Sequence, residues 1–188
     1  PDSPRASLAA VPVFVGRGGL RIRGNSTADY EKKQYSFEAW DENDQDTDVS
    51  LLGLPAESDW VLHAPFADKT LLRNHLMYQW SNRIGRYASR TKFIELYLNK
   101  EGALVEEQDY VGVYVLMEKV KRGSHRVDVE SQSNTPDTVG DLSGGYILEK
   151  GWNFSERVGL ETREFGDQLL FSYPDADNIS TAQRAYLQ

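Results

Sequence analysis

Arg23-Gly24-Asn25-Ser26-Thr27, followed by Lys32 and Lys33, is the stretch of this chain best equipped to hold an anion. Glycine lets backbone N–H groups approach a ligand, hydroxyl and amide side chains donate hydrogen bonds, and a lysine ammonium adds a point charge. The spacing is not that of a P-loop, because G-x-x-x-x-G-K-[ST] is absent and no helix follows directly. On composition alone the plainer reading, a polar hairpin, comes first. Two carboxylates also qualify. Glu118 stands near the end of the most apolar run, on the face of Tyr114 and Leu116, where it is either buried and paired or already at a solvated strand end. Pairing with Lys119 or Lys121 is its ordinary reading, and Glu149, after Tyr146-Ile147-Leu148, is placed in the same way.

Lys119, Lys121, Arg122, His125 and Arg126 form a basic run in an acidic chain. It suits either the guidance of an acidic substrate or nucleotide, or a solvated turn. Asp41, Glu42, Asp44, Asp46 and Asp48 invite a calcium reading, but the glycine and distal glutamate of an EF-hand are missing, which leaves a solvated loop. No Ser/His/Asp or paired-carboxylate constellation emerges from spacing.

The elements that must position these residues are mostly strands. Residues 20–25 and 33–40 read as a first pair joined by a polar turn, with Lys33, Tyr35 and Phe37 on one face. A helix is expected over 68–86, with Asp68 as N-cap, Leu72, Leu76, Trp80 and Ile84 as its buried face, and Gly85 as its stop. Residues 93–99 and 110–120 read as strands. In the latter Val111, Val113, Val115 and Met117 line one face and Tyr114 and Leu116 the other, the signature of a central strand. Further strands are expected at 127–129, 145–150 and 169–173, and Ser180 opens a last helix. The fold class is α+β.

The chain has 188 residues, of which 39% are hydrophobic and 27% charged, enough apolar surface for one sizeable core and too much for a disordered chain. With 21 basic and 29 acidic side chains the net charge is −8, and the pI near 4.9 argues against non-specific nucleic-acid binding. The absence of cysteine excludes disulfides and thiolate chemistry, and His63, His75 and His125 are too widely spaced for an ordinary zinc site. No apolar run is long enough to cross a bilayer. The sequence opens Pro1-Asp2-Ser3-Pro4 and reads as a piece of something longer.

Several motifs, in order, carry a more specific signal. They are Arg21-Ile22-Arg23-Gly24-Asn25-Ser26-Thr27, Lys32-Lys33-Gln34-Tyr35-Ser36-Phe37, Leu51-Leu52-Gly53-Leu54-Pro55 and Ser58-Asp59-Trp60-Val61-Leu62. Ala64-Pro65-Phe66-Ala67-Asp68-Lys69-Thr70-Leu71-Leu72-Arg73-Asn74 is the most diagnostic, followed by Gly112-Val113-Tyr114-Val115-Leu116-Met117-Glu118-Lys119-Val120-Lys121-Arg122-Gly123, Arg126-Val127-Asp128-Val129, Gly144-Gly145-Tyr146-Ile147-Leu148-Glu149 and Tyr173-Pro174-Asp175. Together they resemble the spore coat protein H (CotH) kinase family over nearly everything after residue 20.

The resemblance implies an atypical, minimal protein-kinase-like fold. Residues 1–17 would be a frayed lead-in, 18–179 the N-lobe of antiparallel sheet and one main helix, and 180–188 the start of a C-lobe helix. It implies transfer of phosphate from ATP, with a divalent metal (Mg or Mn), to serines of secreted or coat proteins, and hence an extracytoplasmic location. Lys33 is the first match for the phosphate-holding lysine and Lys32 the second, with Arg23, Asn25 and Ser26 beside the phosphates. The expected helix offers no acidic residue after Asp68, so Glu118, or less readily Glu95, would orient the lysine, and Glu149 is assigned to the same cofactor site. The family's catalytic and metal-binding aspartates are expected in segments after the helix that opens at Ser180. No catalytic or metal residue is therefore assigned here, and residues 1–188 alone are expected not to turn over. The alternative is a non-catalytic surface protein that uses the same fold for adhesion or coat assembly.

Overall fold

Alternating apolar and polar residues on either side of a glycine-led turn make residues 17–40 a hairpin. β1 (Arg17–Arg23) pairs antiparallel with β2 (Gln34–Trp40), from Arg17 opposite Trp40 to Arg23 opposite Gln34. The computed structural model describes residues 7, 10–102, 104–132, 142–150, 159–161 and 168–188, and divides into two compact units, Pro1–Lys119 and Val120–Gln188. In the first unit the hairpin is followed by β3 (Asp59–His63), α1 (Arg73–Arg83), β4 (Thr91–Tyr97) and β5 (Tyr110–Glu118). All strand pairs are antiparallel, and the sheet order is β1-β2-β3-β5-β4.

β5 is an interior strand, and this accounts for its apolar character on both faces. Trp60, Leu62, Tyr114 and Leu116 pack with Leu54 and Ala64 on one side of the sheet, joined by Tyr35 and Phe37 of β2. Val61, Val115 and Met117 pack with Tyr78 of α1 on the other. Val111 joins the Tyr114 side rather than the Val113–Val115 side expected from strict alternation. The reason is a register shift, in which Leu96 opposes Gly112 while Tyr97 opposes Tyr110, with Gly112 at φ +122°. One extra residue on a bulged strand reverses the parity beyond it.

α1 departs from expectation in length and in face. It begins at Arg73, not near Asp68. Asp68 instead organises the turn before it: one carboxylate oxygen accepts from the Thr70 N–H (3.1 Å) and hydroxyl (2.7 Å), the other from the Arg73 N–H (2.9 Å). Gly85, at φ +79°, does end the helix. The stripe Leu72, Trp80 and Ile84 faces away from the sheet, with Ile84 77% exposed. The sheet side carries His75, Tyr78 and Asn82 instead. His75 Nδ1 bonds Thr91 Oγ1 (2.7 Å), and the Asn82 amide bridges Tyr78 and Ala88, tying the helix to the segment that leads into β4. Periodicity marked a stripe, but specific polar contacts selected a different one.

The second unit contains a three-stranded antiparallel sheet of order β6-β8-β7, where β6 is Ile147–Lys150, β7 Gly159–Glu161 and β8 Gln168–Tyr173. β7, three residues long, has too little pattern to be read from sequence. The strand expected at 127–129 is only an isolated bridge between Arg122 and Val127 beside the turn at Gly123. α2 (Thr181–Leu187) opens where Ser180 predicts: Ser180 Oγ accepts from Gln183 N (3.2 Å), and Gln183 Oε1 accepts from Ser180 N (2.9 Å), a reciprocal cap. Among the described residues no helix is long and apolar enough to cross a membrane.

Candidate functional site

The loop between β1 and β2 is short of regular structure but well anchored. Gly24 takes φ +106°, and a Cβ there would collide with the Thr27 hydroxyl, so the turn requires glycine. Residues Ser26–Asp29 form a single 3₁₀ turn. Lys33 Nζ donates to Ala28 O (2.8 Å), Gln34 Nε2 to Thr27 Oγ1 (3.0 Å), and the Tyr30 and Phe66 rings lie 5.3 Å apart. Arg23, Asn25 and Ser26 are exposed on this loop.

The two lysines, adjacent in sequence, do different work. Lys33 is spent on its own loop, while its carbonyl accepts from Tyr114 OH (2.8 Å). Lys32 crosses the end of β3 to reach β5, where its Nζ donates to Val113 O (2.6 Å) and stands 4.8 Å from the Tyr114 ring centroid. That carbonyl is available for a sequence reason. Glu118 N donates to Arg90 O, so Glu118, Leu116 and Tyr114 turn their backbone groups toward β4, and the alternate residue Val113 turns its own toward β3. β3 stops at His63 opposite Val115. Two residues further on, the same register would put Pro65 opposite Val113, and proline has no N–H to give. Lys32 fills that position. Gly112 leaves it room, since a Cβ there would come within 3.2 Å of Nζ.

Among the described residues no carboxylate pairs with Lys32. Its partners are a neutral carbonyl and a ring face, and partial burial lowers its pKa from the ordinary lysine value. Burial pushes the Tyr114 hydroxyl up to about 12, with the neighbouring Tyr35 adding to the effect, so at neutral pH it remains a donor.

His63, Gln34 and Asn74 complete the surroundings. His63 Nδ1 lies 2.6 Å from Gln34 Oε1, and Nε2 lies 3.4 Å from Asn74 Nδ2. Because Gln34 uses its amide N–H₂ on Thr27, its oxygen faces His63, and His63 Nδ1 is the donor. The His63 pKa is lowered, first by burial and then by the positive charge of Arg23; Asp68 opposes the shift and Lys32 adds a smaller lowering. Arg23, Lys32 and His63 therefore share one electropositive corner, at the end of β3 and the start of β2. Sequence reading weighs His63 only as a zinc ligand and misses Gln34 and Asn74, because His63 ends β3, Gln34 opens β2 and Asn74 lies in α1, and only the fold brings the three together. Apolar patterning marks Tyr114 only as core, although a tyrosine inside a valine- and leucine-rich strand is itself a signal for a buried hydroxyl with a partner.

Glu118 is not brought to either lysine. It stands five residues along β5 from Val113, about 17 Å at the rise of a strand. Its side chain is fully buried, and Oε1 takes Arg90 Nε (2.8 Å) and Nη2 (2.7 Å) while Oε2 takes Arg90 N (3.0 Å) and Tyr87 OH (3.2 Å). It fastens the segment between α1 and β4, as a buried carboxylate needs full pairing. The neighbouring Lys119 pairs with Asp59 (2.7 Å) instead. Glu95 lies on β4, opposite Val113, and Glu149 is an exposed residue of β6 in the second unit. In the acidic loop Asp44 pairs with Arg17 (2.5 Å), and Asp41 accepts from the Asn43 and Gln45 N–H groups, which holds its pKa below the usual carboxylate value. Among the described residues no group of three or more His, Asp or Glu converges to hold a metal ion.

An uncompensated ammonium beside a glycine-led loop, with Arg23 next to it, is chemically suited to phosphate oxygens. Comparison with curated proteins gives no match. The family model described as CotH kinase protein matches residues 20–181, most of the chain, and the chain belongs to that family.

Proposed function

We propose that this chain contributes the nucleotide-binding lobe of an ATP-dependent protein serine kinase, with the five-stranded sheet and α1 as a kinase-like N-lobe. Family membership supports a kinase-related function and the use of ATP. The observation that carries the proposal to particular residues is Lys32, a part-buried cation beside the loop at Gly24 with no carboxylate partner among the described residues. Lys32 and Arg23 would meet phosphate oxygens, and Asn25 and Ser26 would add hydrogen bonds from the loop. Lys33 would act indirectly, by holding that loop at Ala28. In kinase folds a helix carboxylate usually orients the lysine; α1 has no acidic residue, and here Val113 O and the Tyr114 ring take that place. The residues of this corner do not fit a divalent ion, and no step is assigned to one. Secreted or coat proteins bearing serines as substrates, and an extracytoplasmic setting, belong to the same proposal on family grounds alone.

The test is a thermal melt of the chain with and without ATP. A ligand that binds only the folded state adds about 2.7 kcal/mol at a hundred times its Kd, so millimolar ATP raises the Tm by several degrees. A Tm that ignores ATP, ADP and a non-hydrolysable analogue refutes the nucleotide reading and leaves adhesion or coat assembly as the use of the fold.

A further inference from the structure

In the first unit α1, Leu54 and the residues leading into β4 line a groove of about 470 Å³. Among the described residues its lining includes Arg83, Arg90 and Lys92 and not one carboxylate, in a chain whose net charge is −8. Arg90 is committed to Glu118. Arg83 and Lys92 are exposed, and among the described residues neither forms an ion pair.

A second, independent feature runs along the same groove. Among the described residues β4 is the last strand of the sheet, paired with β5 on one side and with no strand on the other. Both backbone groups of Arg90 face β5, since its carbonyl accepts from Glu118 N (3.2 Å) and its N–H donates to the Glu118 carboxylate (3.0 Å). Backbone direction alternates along an antiparallel strand, so Thr91 and Phe93 turn their N–H and C=O groups outward. No described backbone group pairs with them. A row of open donors and acceptors is a template for another strand.

The side-chain directions fit the charges to that template. Thr91 Oγ1 bonds His75, so Thr91 projects on the α1 face and Lys92, the next residue, on the opposite one. Arg83 stands on the helix side. A strand added at this edge would present consecutive side chains to the two faces alternately, one to Arg83 and the next to Lys92. We infer that the β4 edge is a docking site for an extended acidic segment of a partner protein. The partner's backbone pairs with Thr91 and Phe93, and two adjacent carboxylates meet Arg83 and Lys92. Backbone pairing supplies affinity and the charges set register, the division of labour usual in strand addition. The site does not depend on the nucleotide reading and stands or falls separately from it.

The probe is a fluorescein-labelled nine-residue peptide of Thr and Val with a central Glu-Glu, titrated with the full 188-residue chain and followed by anisotropy. The expected result is saturable binding that weakens as salt is raised. The Arg83→Glu, Lys92→Glu double variant should lose tenfold or more in affinity with an unchanged melting profile, because both side chains are exposed. Should that variant melt early, Arg83→Gln with Lys92→Gln gives the same comparison without charge reversal. A peptide of identical charge, N-methylated at the alternate positions that face β4, should lose binding to a similar extent. Equal binding by the methylated peptide, full competition by inorganic phosphate at the same concentration, or indifference to both double variants would each overturn the inference, the first two by leaving a site for small anions alone.

Discussion

Replacing Lys32 and Lys33 by methionine, one at a time, separates a residue that meets phosphate from one that shapes a loop. Methionine keeps the aliphatic stem and removes the charge. Among the described residues Lys32 Nζ has no carboxylate to satisfy, so its charge is available to a ligand. A hydrogen bond to a charged group contributes about 1.5–3 kcal/mol, and at about 1.4 kcal/mol per decade this is roughly a ten- to hundredfold loss of ATP affinity. Lys33 Nζ donates to a neutral carbonyl, Ala28 O, a contact contributing about 1 kcal/mol to the loop and only indirectly to the ligand. Its removal should cost a fewfold. The two variants should also differ in the absence of nucleotide. Lys32→Met gives up one hydrogen bond to Val113 O but no longer keeps a cation out of water, so its stability should stay within about 1 kcal/mol of the parent. Isothermal titration of ATP at fixed salt, with a thermal melt of each apo protein, reads both quantities. A larger loss of ATP affinity in Lys33→Met than in Lys32→Met would refute the assignment and make Lys32 a structural lysine.

Glu118→Ala should destabilise the fold by about 3 kcal/mol, toward the lower end of the range for a broken buried pair because Arg90 is 38% exposed and can rehydrate; urea unfolding measures it, and an unchanged ATP affinity in the folded fraction is expected. For His63 the folded pKa lies below the unfolded 6.5, so folding favours its neutral form. The stability this contributes is complete above pH 6.5 and is lost as pH falls through the folded value. Melts across that range should show a drop that His63→Leu flattens, and a parallel drop in both proteins would refute the assignment. Gly24→Ala forces a Cβ onto the Thr27 hydroxyl at a positive φ, and should weaken ATP binding more than it lowers the Tm; equal binding by the variant would show that the loop's shape is irrelevant to the ligand.

How far the sequence is legible depends on what kind of information each residue carries. β5 could be read directly because both its faces are apolar, and burial on two sides is a property of composition. α1 could be located but not oriented. Leu72, Leu76, Trp80 and Ile84 recur every fourth residue, yet the stripe set on the sheet contains His75 and Asn82, whose hydrogen bonds to Thr91, sixteen residues on, and to Ala88, beyond the turn at Gly85, leave no trace in the helix's own periodicity. The position of Glu118 at the end of an apolar strand admits two states, paired or solvated, and it is paired. Its partner Arg90, 28 residues away, could not be picked from the nearer Lys119 and Lys121 because only the register of β4 on β5 brings it there. The Val111 face failed for a one-residue reason, the bulge at Gly112.

The choice between Lys32 and Lys33 shows why the site was harder to read than the fold. Strand alternation says only that two neighbours point to different sides, and both are lysine. What separates them lies 81 positions later, in a carbonyl that β3 does not reach because the residue due opposite it is proline. A strand end, a missing N–H and a glycine without a side chain together leave a gap of the size of an ammonium group. Such a gap holds the charge in place by neutral contacts and leaves it unneutralised, whereas a carboxylate in the same position would have cancelled much of the field that an anionic ligand could use. Arg23 and His63 add to that field without closing the corner, since Arg23 is exposed and His63 is kept neutral by burial and by the two cations beside it. The functional information in this part of the chain is thus carried less by the lysines themselves than by Pro65 and Gly112, two residues that contribute no charge at all.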